Sequence, residues 1–210
     1  MAWVLFGGTL AAQQAEDIRE RWQRVPDVLE ALAVVPGAHV ADVGAGGGFF
    51  TARLAQAVGN DGRVYAVDVD AAVIARLEQR AAREVWSNVE IIHSRPDDPR
   101  LPDGALDAAL IVNAYHEFTG VEAMLRGLAR ALKPGGRLVL IDRVPRRRLR
   151  DERPVQERAH ELGSWFAVHD LVVAGFRIVR LEDPFIVAAD TDAREDWWLL
   201  VAEREAEPAR

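Results

Sequence analysis

The chain has 210 residues, half of them apolar and 28% charged, a composition that fits one globular domain with a core large enough to fold unaided. Its net charge of −7 opposes nonspecific binding to DNA or RNA. The absence of cysteine excludes disulfides, thiolate metal sites and thiol nucleophiles, and the only lysine, Lys133, sits in a Lys-Pro-Gly-Gly turn that is a poor place for Schiff-base chemistry.

Residues 2–12, Ala-Trp-Val-Leu-Phe-Gly-Gly-Thr-Leu-Ala-Ala, have the apolar core and small-residue end of a secretory signal, but no positive charge precedes them. Residues 1–14 are therefore read as an N-terminal extension or a signal-like segment. A cytoplasmic chain is expected, or an exported one if residues 1–12 are a signal. No apolar run approaches the ~20 residues that span a bilayer. Residues 15–205 read as one domain. Ile18, Trp22, Val25, Val28, Leu29 and Leu32 fall at helical spacing interrupted by Pro26, which predicts two short helices. Strands are predicted at 38–43, 63–68, 89–93, 106–112 and 137–142, with helices at 47–58, 71–83 and 121–131 between them. A polar stretch, 94–104, is long for a loop, which favours a functional role. One long helix is predicted over 152–174, and two closing strands at 176–181 and 197–202. This alternation predicts an α/β fold, a single doubly wound and mainly parallel sheet with helices on both faces.

Residues 40–48, Val-Ala-Asp-Val-Gly-Ala-Gly-Gly-Gly, carry the chemistry. An apolar strand breaks into glycines and opens a helix, and the next strand ends in Asp68, 24 positions after Gly44. Glycines let a ligand approach the backbone closely, and a carboxylate at the following strand end accepts hydrogen bonds from a ribose. A dinucleotide fingerprint needs its third glycine at the sixth position, where this chain has Phe49. The third glycine falls instead at Gly48.

That G-x-G-x-G spacing, with Asp42 two residues before it, resembles motif I of the class I S-adenosylmethionine-dependent methyltransferases, whose fold is a seven-stranded, Rossmann-like sheet. Leu101-Pro102-Asp103-Gly104-Ala105-Leu106-Asp107 is similar to the family's entry to strand four. Lys133-Pro134-Gly135-Gly136 resembles its fifth-strand signature, and Ala174-Gly175-Phe176 its turn into strand six. The resemblance covers roughly residues 25–205 and implies S-adenosylmethionine as cofactor and a small-molecule acceptor such as those of the quinone-biosynthesis C-methyltransferases; the acidic net charge leads us to expect no nucleic-acid partner. It implies that the backbone of Gly44, Ala45, Gly46 and Gly48 passes under the methionine moiety, with Asp42 at its ammonium end. It further implies that Asp68 binds the ribose hydroxyls, Val69 packs on the adenine and Asn113 offers its backbone near the methionine.

One departure stands out. Where the family usually has Gly-Asp after strand three, with the Asp meeting the adenine amine, this chain has Ser94-Arg95, and Asp97, ahead of Asp98, is the expected substitute. After strand four, Tyr115-His116-Glu117 falls at the edge where parallel sheets place ligands. His116 is the expected general base, with Tyr115 as the other acid–base candidate. No metal site is singled out; His160 and His169 read as structural or exposed. The arginines between 143 and 153 read as a solvated loop, or as one that guides an anionic substrate or touches an anionic membrane surface. A catalytically silent binding protein of the same fold and a nicotinamide-dependent oxidoreductase are the alternative functions; Arg95 favours the first and Phe49 opposes the second.

Overall fold

The structure is a computed structural model that describes residues 14–188 and 195–205, so the signal-like segment lies outside the described residues. Helix α1 (14–22) and helix α2 (Val25–Leu32) are separated where Arg24 takes a left-handed conformation, and Pro26 opens α2 as the sequence predicts. The chain continues through β1 (His39–Val43), α3 (Phe49–Val58), β2 (Arg63–Asp68), α4 (Ala71–Glu84), β3 (Val89–His93), β4 (Leu106–Val112) and α5 (Val121–Ala131). It closes with β5 (Leu132–Arg143), α6 (Arg153–Arg158), α7 (Ser164–Val173), β6 (Phe176–Ile186) and β7 (Trp197–Arg204).

Two expectations are corrected. Strands β5, β6 and β7 run longer than predicted. The single helix expected over 152–174 is two helices, and the break between them, 159–163, ends at Gly163, which lies against the Trp165 ring. An added Cβ there would stand 2.1 Å from the Trp165 ring. The buried Gln156 side chain holds the break, donating to the carbonyls of Arg148 and Asp151 and accepting from the Gly163 amide at 2.7 Å. His160, within the break, has a φ of 56°.

The seven strands form one sheet in the order β3-β2-β1-β4-β5-β7-β6, with β7 antiparallel to both neighbours and the other pairings parallel. Strands β1 and β4 lie side by side, yet the chain leaves β1 toward β2 and leaves β4 toward β5. Their carboxyl ends therefore border the switch point where open α/β sheets bind ligands. Strand alternation divides the core. Val40, Val64, Leu110, Val139 and Leu199 pack under α2 and α3, while Ala41, Val43, Ala109, Ile111, Leu138 and Leu200 face α5 and α7. The adjacent tryptophans of β7 obey the same rule, with Trp197 in the first layer and Trp198 in the second.

Candidate active site

A cavity of about 480 Å³ opens at the switch point, within the range typical of small-ligand sites. Its floor is the turn after β1. Gly44 and Gly46 both have positive φ, 75° and 55°. At Gly44 the need for glycine is also spatial, since an added Cβ would stand 2.4 Å from the Cβ of Ala114 in the turn after β4. The amides of Gly44 and Ala45 both donate to the Val67 carbonyl at the end of β2, at 2.8 and 3.0 Å. The Gly46 amide donates to Asp68 Oδ2 at 3.0 Å, and Asp68 Oδ1 accepts from the Asp70 amide at 3.0 Å. Asp68 thus ties the glycine turn to the next strand end, while each carboxylate oxygen keeps a lone pair for a ligand hydroxyl. Val69 lies on the same wall, 52% exposed. Asn113 lines the opposite wall with a φ of 54°, and its amide donates to the Ile141 carbonyl at 2.8 Å.

The remaining residues of the resemblance stand elsewhere. Ala45 packs with Ala66 and Leu77 beneath α4, and Gly48 passes so close to α4 that an added Cβ would stand 2.9 Å from both Leu77 and Trp86. Asp42 turns away from the cavity. It is 3% exposed and its Oδ2 accepts from the Thr51 hydroxyl of α3 at 2.6 Å. Burial pushes its carboxyl from the ordinary 3.8 up to about 6, against the opposing Thr51 hydrogen bonds and the charge of Arg19. Asp97 is also off the cavity wall. Arg95 and Asp98 form a β-bridge that turns the segment, so Ser94, Arg95 and Pro96 line the cavity instead. The Asp97 backbone meanwhile packs at Gly120, where an added Cβ would stand 3.1 Å from the Asp97 Cα.

Tyr115 is corrected as an acid–base candidate. It is fully buried in the layer beneath α7, and its hydroxyl donates to Asp170 at 2.8 Å. Burial and the Asp170 charge push the phenol far above its ordinary value, so it neither releases a proton nor faces a cavity. His116 is different. It lines a second cavity, of about 740 Å³, that shares Glu117, Phe118 and Thr119 with the first. Its Nδ1 lies 2.9 Å from a carboxylate oxygen of Asp142, which is wholly buried at the end of β5 and also accepts from the amides of His116 and Arg143. Burial lowers the affinity of His116 for a proton, and the Asp142 hydrogen bond and charge outweigh it, so the pKa is raised. The acceptor-only carboxylate fixes the tautomer with Nδ1–H toward Asp142 and leaves Nε2 free. Asp142 was missed in the sequence; its signal is an acidic residue at the carboxyl end of a central parallel strand. His160, read there as structural or exposed, stands on the wall of the second cavity.

The arginine-rich segment is largely paired. Arg143, Arg146, Arg147, Arg148 and Arg153 each lie within 4 Å of a carboxylate from Glu195, Asp196, Glu161, Asp151, Glu157 or Asp170.

Comparison with known proteins agrees with this architecture. The family described as "Methyltransferase domain" matches residues 40–136, from β1 to the Lys-Pro-Gly-Gly turn. The chain is 26% identical over 175 residues to the ubiquinone/menaquinone biosynthesis C-methyltransferase UbiE of Vibrio cholerae, covering 83% of this chain and 64% of that protein. The protein of the same name from Shewanella oneidensis is 30% identical over 127 residues, covering 60% of this chain and 49% of its own length. The chain thus spans from about half to just under two thirds of the length of these relatives. A SAM-dependent methyltransferase from Aquifex aeolicus superposes with a TM-score of 0.72 at 26% identity, covering 85% of this chain and 88% of that one. With the motif order, the sheet topology and the glycine turn all in agreement, residues 40–136 match a methyltransferase domain and the chain has the fold of the S-adenosylmethionine-dependent methyltransferases it resembles.

Proposed function

We propose that the chain binds S-adenosylmethionine in the first cavity and transfers its methyl group to a small-molecule acceptor in the second. The observation that carries this reading is the Asp68 carboxylate. It stands on the cavity wall bonded to the Gly46 amide, so the ribose acceptor and the glycine floor form one hydrogen-bonded unit. The residues present fit the cofactor: lone pairs on Asp68 for two hydroxyls, an exposed Val69 for a flat apolar ring, and a side-chain-free floor at Gly46 for the methionine backbone. When bound, S-adenosylmethionine supplies a methyl group already activated by its sulfonium. The chain's task is then to align acceptor, methyl and sulfur, and such alignment can recover on the order of 7–11 kcal/mol of barrier. Glu117, Phe118 and Thr119 stand on the shared wall and set that alignment from the acceptor side.

The acidic chain supports a small molecule over a nucleic acid as acceptor. No helix among the described residues is long and apolar enough to cross a membrane, and use of an intracellular metabolite as methyl donor supports a cytoplasmic enzyme. One observation favours a second reading, a protein that binds the cofactor without turning it over. Arg95, a donor without an acceptor lone pair, lines the cavity where the resemblance expects a carboxylate for the adenine amine.

Titration calorimetry with S-adenosylhomocysteine tests cofactor binding. Wild type should bind, and Asp68→Ala should bind about 10- to 150-fold more weakly, the equivalent of ~1.5–3 kcal/mol for hydrogen bonds to a charged group. No heat at millimolar ligand with the protein folded would overturn the assignment. Binding without methyl transfer to any quinol or phenol acceptor offered would favour the silent reading.

A further inference from the structure

His116 Nε2 is buried and has no hydrogen-bond partner, although the imidazole is 1% exposed. A hidden polar atom left unbonded is costly, and native structures rarely retain one without a ligand or a function to account for it. The atoms nearest it form a pattern. Glu117 Oε1 lies 3.6 Å from His116 Nε2 and 3.4 Å from His160 Nδ1, both longer than an ordinary hydrogen bond. The three donor atoms fall within 4.8 Å of one another. Two ligands bound to a tetrahedral zinc ion at ~2.0–2.2 Å stand about 3.3–3.6 Å apart, which is the spacing found on both sides of Glu117.

We infer that His116, Glu117 and His160 form a binding site for a divalent transition metal ion of the zinc type, with its open coordination position facing the second cavity. Two imidazoles and a carboxylate are a donor set for zinc and its first-row neighbours rather than for calcium or magnesium, which prefer all-oxygen shells. The support behind His116 is already in place. Its Nδ1 lies against the buried Asp142 carboxylate, the arrangement that orients a metal-bound histidine and raises its basicity. His160 is held in a left-handed backbone conformation, φ 56°, and its ring stands 5.6 Å from that of His116 at 84°. Side chains of Glu117 and His160 are 60% and 67% exposed, so both can draw in by the fraction of an ångström or more that an ion demands.

Metal binding by these three residues is independent of the proposed methyl transfer. Its use in catalysis rests on that reading. An acceptor hydroxyl bound at the open position would be acidified and lose its proton to solvent water. The resulting oxygen, or a carbon conjugated to it, would then take the methyl group while sulfur keeps the electron pair of the broken carbon–sulfur bond.

The test uses the full chain, stripped of metal with chelator, in competition with a chromophoric zinc chelator, and with cobalt(II) as a visible-spectrum probe of the same site. Wild type should take up one zinc ion per chain, and cobalt should give the absorption of a tetrahedral site with histidine ligands. His160→Ala and Glu117→Ala alter exposed side chains and should each weaken zinc binding about tenfold or more, with the cobalt spectrum changed; Asp142→Asn, acting through His116, should cost about 10- to 100-fold. Absence of stoichiometric zinc binding at tens of micromolar, or binding unchanged in both His160→Ala and Glu117→Ala, would overturn the site. S-adenosylhomocysteine affinity measured on the same preparations separates the two readings, because loss of that binding with zinc uptake intact refutes only the cofactor assignment.

Discussion

Replacing Asp42 by Asn tests what a buried carboxylate costs this fold. Asparagine keeps an oxygen to accept from the Thr51 hydroxyl, 2.6 Å away, and cannot ionise. In the folded wild type, burial raises the Asp42 pKa from 3.8 to about 6. Because the folded value lies above the unfolded one, the stability contributed by the protonated form is fully present below about pH 3.8 and is lost as pH rises through about 6. At ~1.4 kcal/mol for each pH unit between those values, the ionised carboxylate costs about 3 kcal/mol at neutral pH. Asp42→Asn should therefore match wild type to within a fraction of a kcal/mol near pH 4 and exceed it by up to about 3 kcal/mol at pH 7.5. For a chain of this size that gain corresponds to roughly 6–12 °C in Tm. Urea denaturation of both proteins at the two pH values measures the difference, and the other titrating groups cancel in it. A difference that is the same at pH 4 and pH 7.5 would refute the reasoning, since it would mean that Asp42 is solvated or paired with a cation.

Gly44→Ala combines a left-handed φ, worth roughly 1–2 kcal/mol for a residue with a Cβ, with a contact at 2.4 Å to Ala114, and overpacking of that kind costs about 1–3 kcal/mol. Chemical denaturation should show a loss of about 2–5 kcal/mol, partly restored by adding Ala114→Gly; a loss under ~0.5 kcal/mol would mean the two turns do not approach as described. Tyr115→Phe removes the hydrogen bond to the Asp170 carboxylate and should cost about 1.5–3 kcal/mol in stability while leaving S-adenosylhomocysteine affinity unchanged. A selective loss of turnover at unchanged stability would restore Tyr115 to the chemistry.

Local order decided much of this protein before any tertiary contact. The alternation Val40-Ala41-Asp42-Val43 and the apolar runs of β2 and β4 specify strands, and period 2 sends Trp197 and Trp198 to opposite layers. Gly44, Gly46 and Asp68 were legible as a unit because the two turns that carry them follow adjacent parallel strands, and the structure joins them directly through the Gly46 amide. Alternation also determines the side to which Asp42 turns. Ala41 and Val43 face α5 and α7, so Asp42 must face α3, where Thr51 waits.

Other features needed the folded chain. Whether Tyr115 or His116 faces a cavity depends on one short turn after β4, where no repeating pattern assigns a side. Asp142 reaches His116 because β5 lies beside β4 in the sheet, a pairing between segments 26 residues apart. His160 stands within 3.4 Å of Glu117 from the break between α6 and α7, where its backbone is left-handed and the Gln156 side chain binds the Gly163 amide. The helical spacing over 152–174 favours one continuous helix, and the buried Gln156 side chain holds the break that the folded chain has instead. Side-chain contacts of the folded chain set these outcomes, and a hydrogen bond at about 0.5–1.5 kcal/mol outweighs the few tenths of a kcal/mol per residue, about 0–0.7 for ordinary residues, by which local preference ranks one conformation over another.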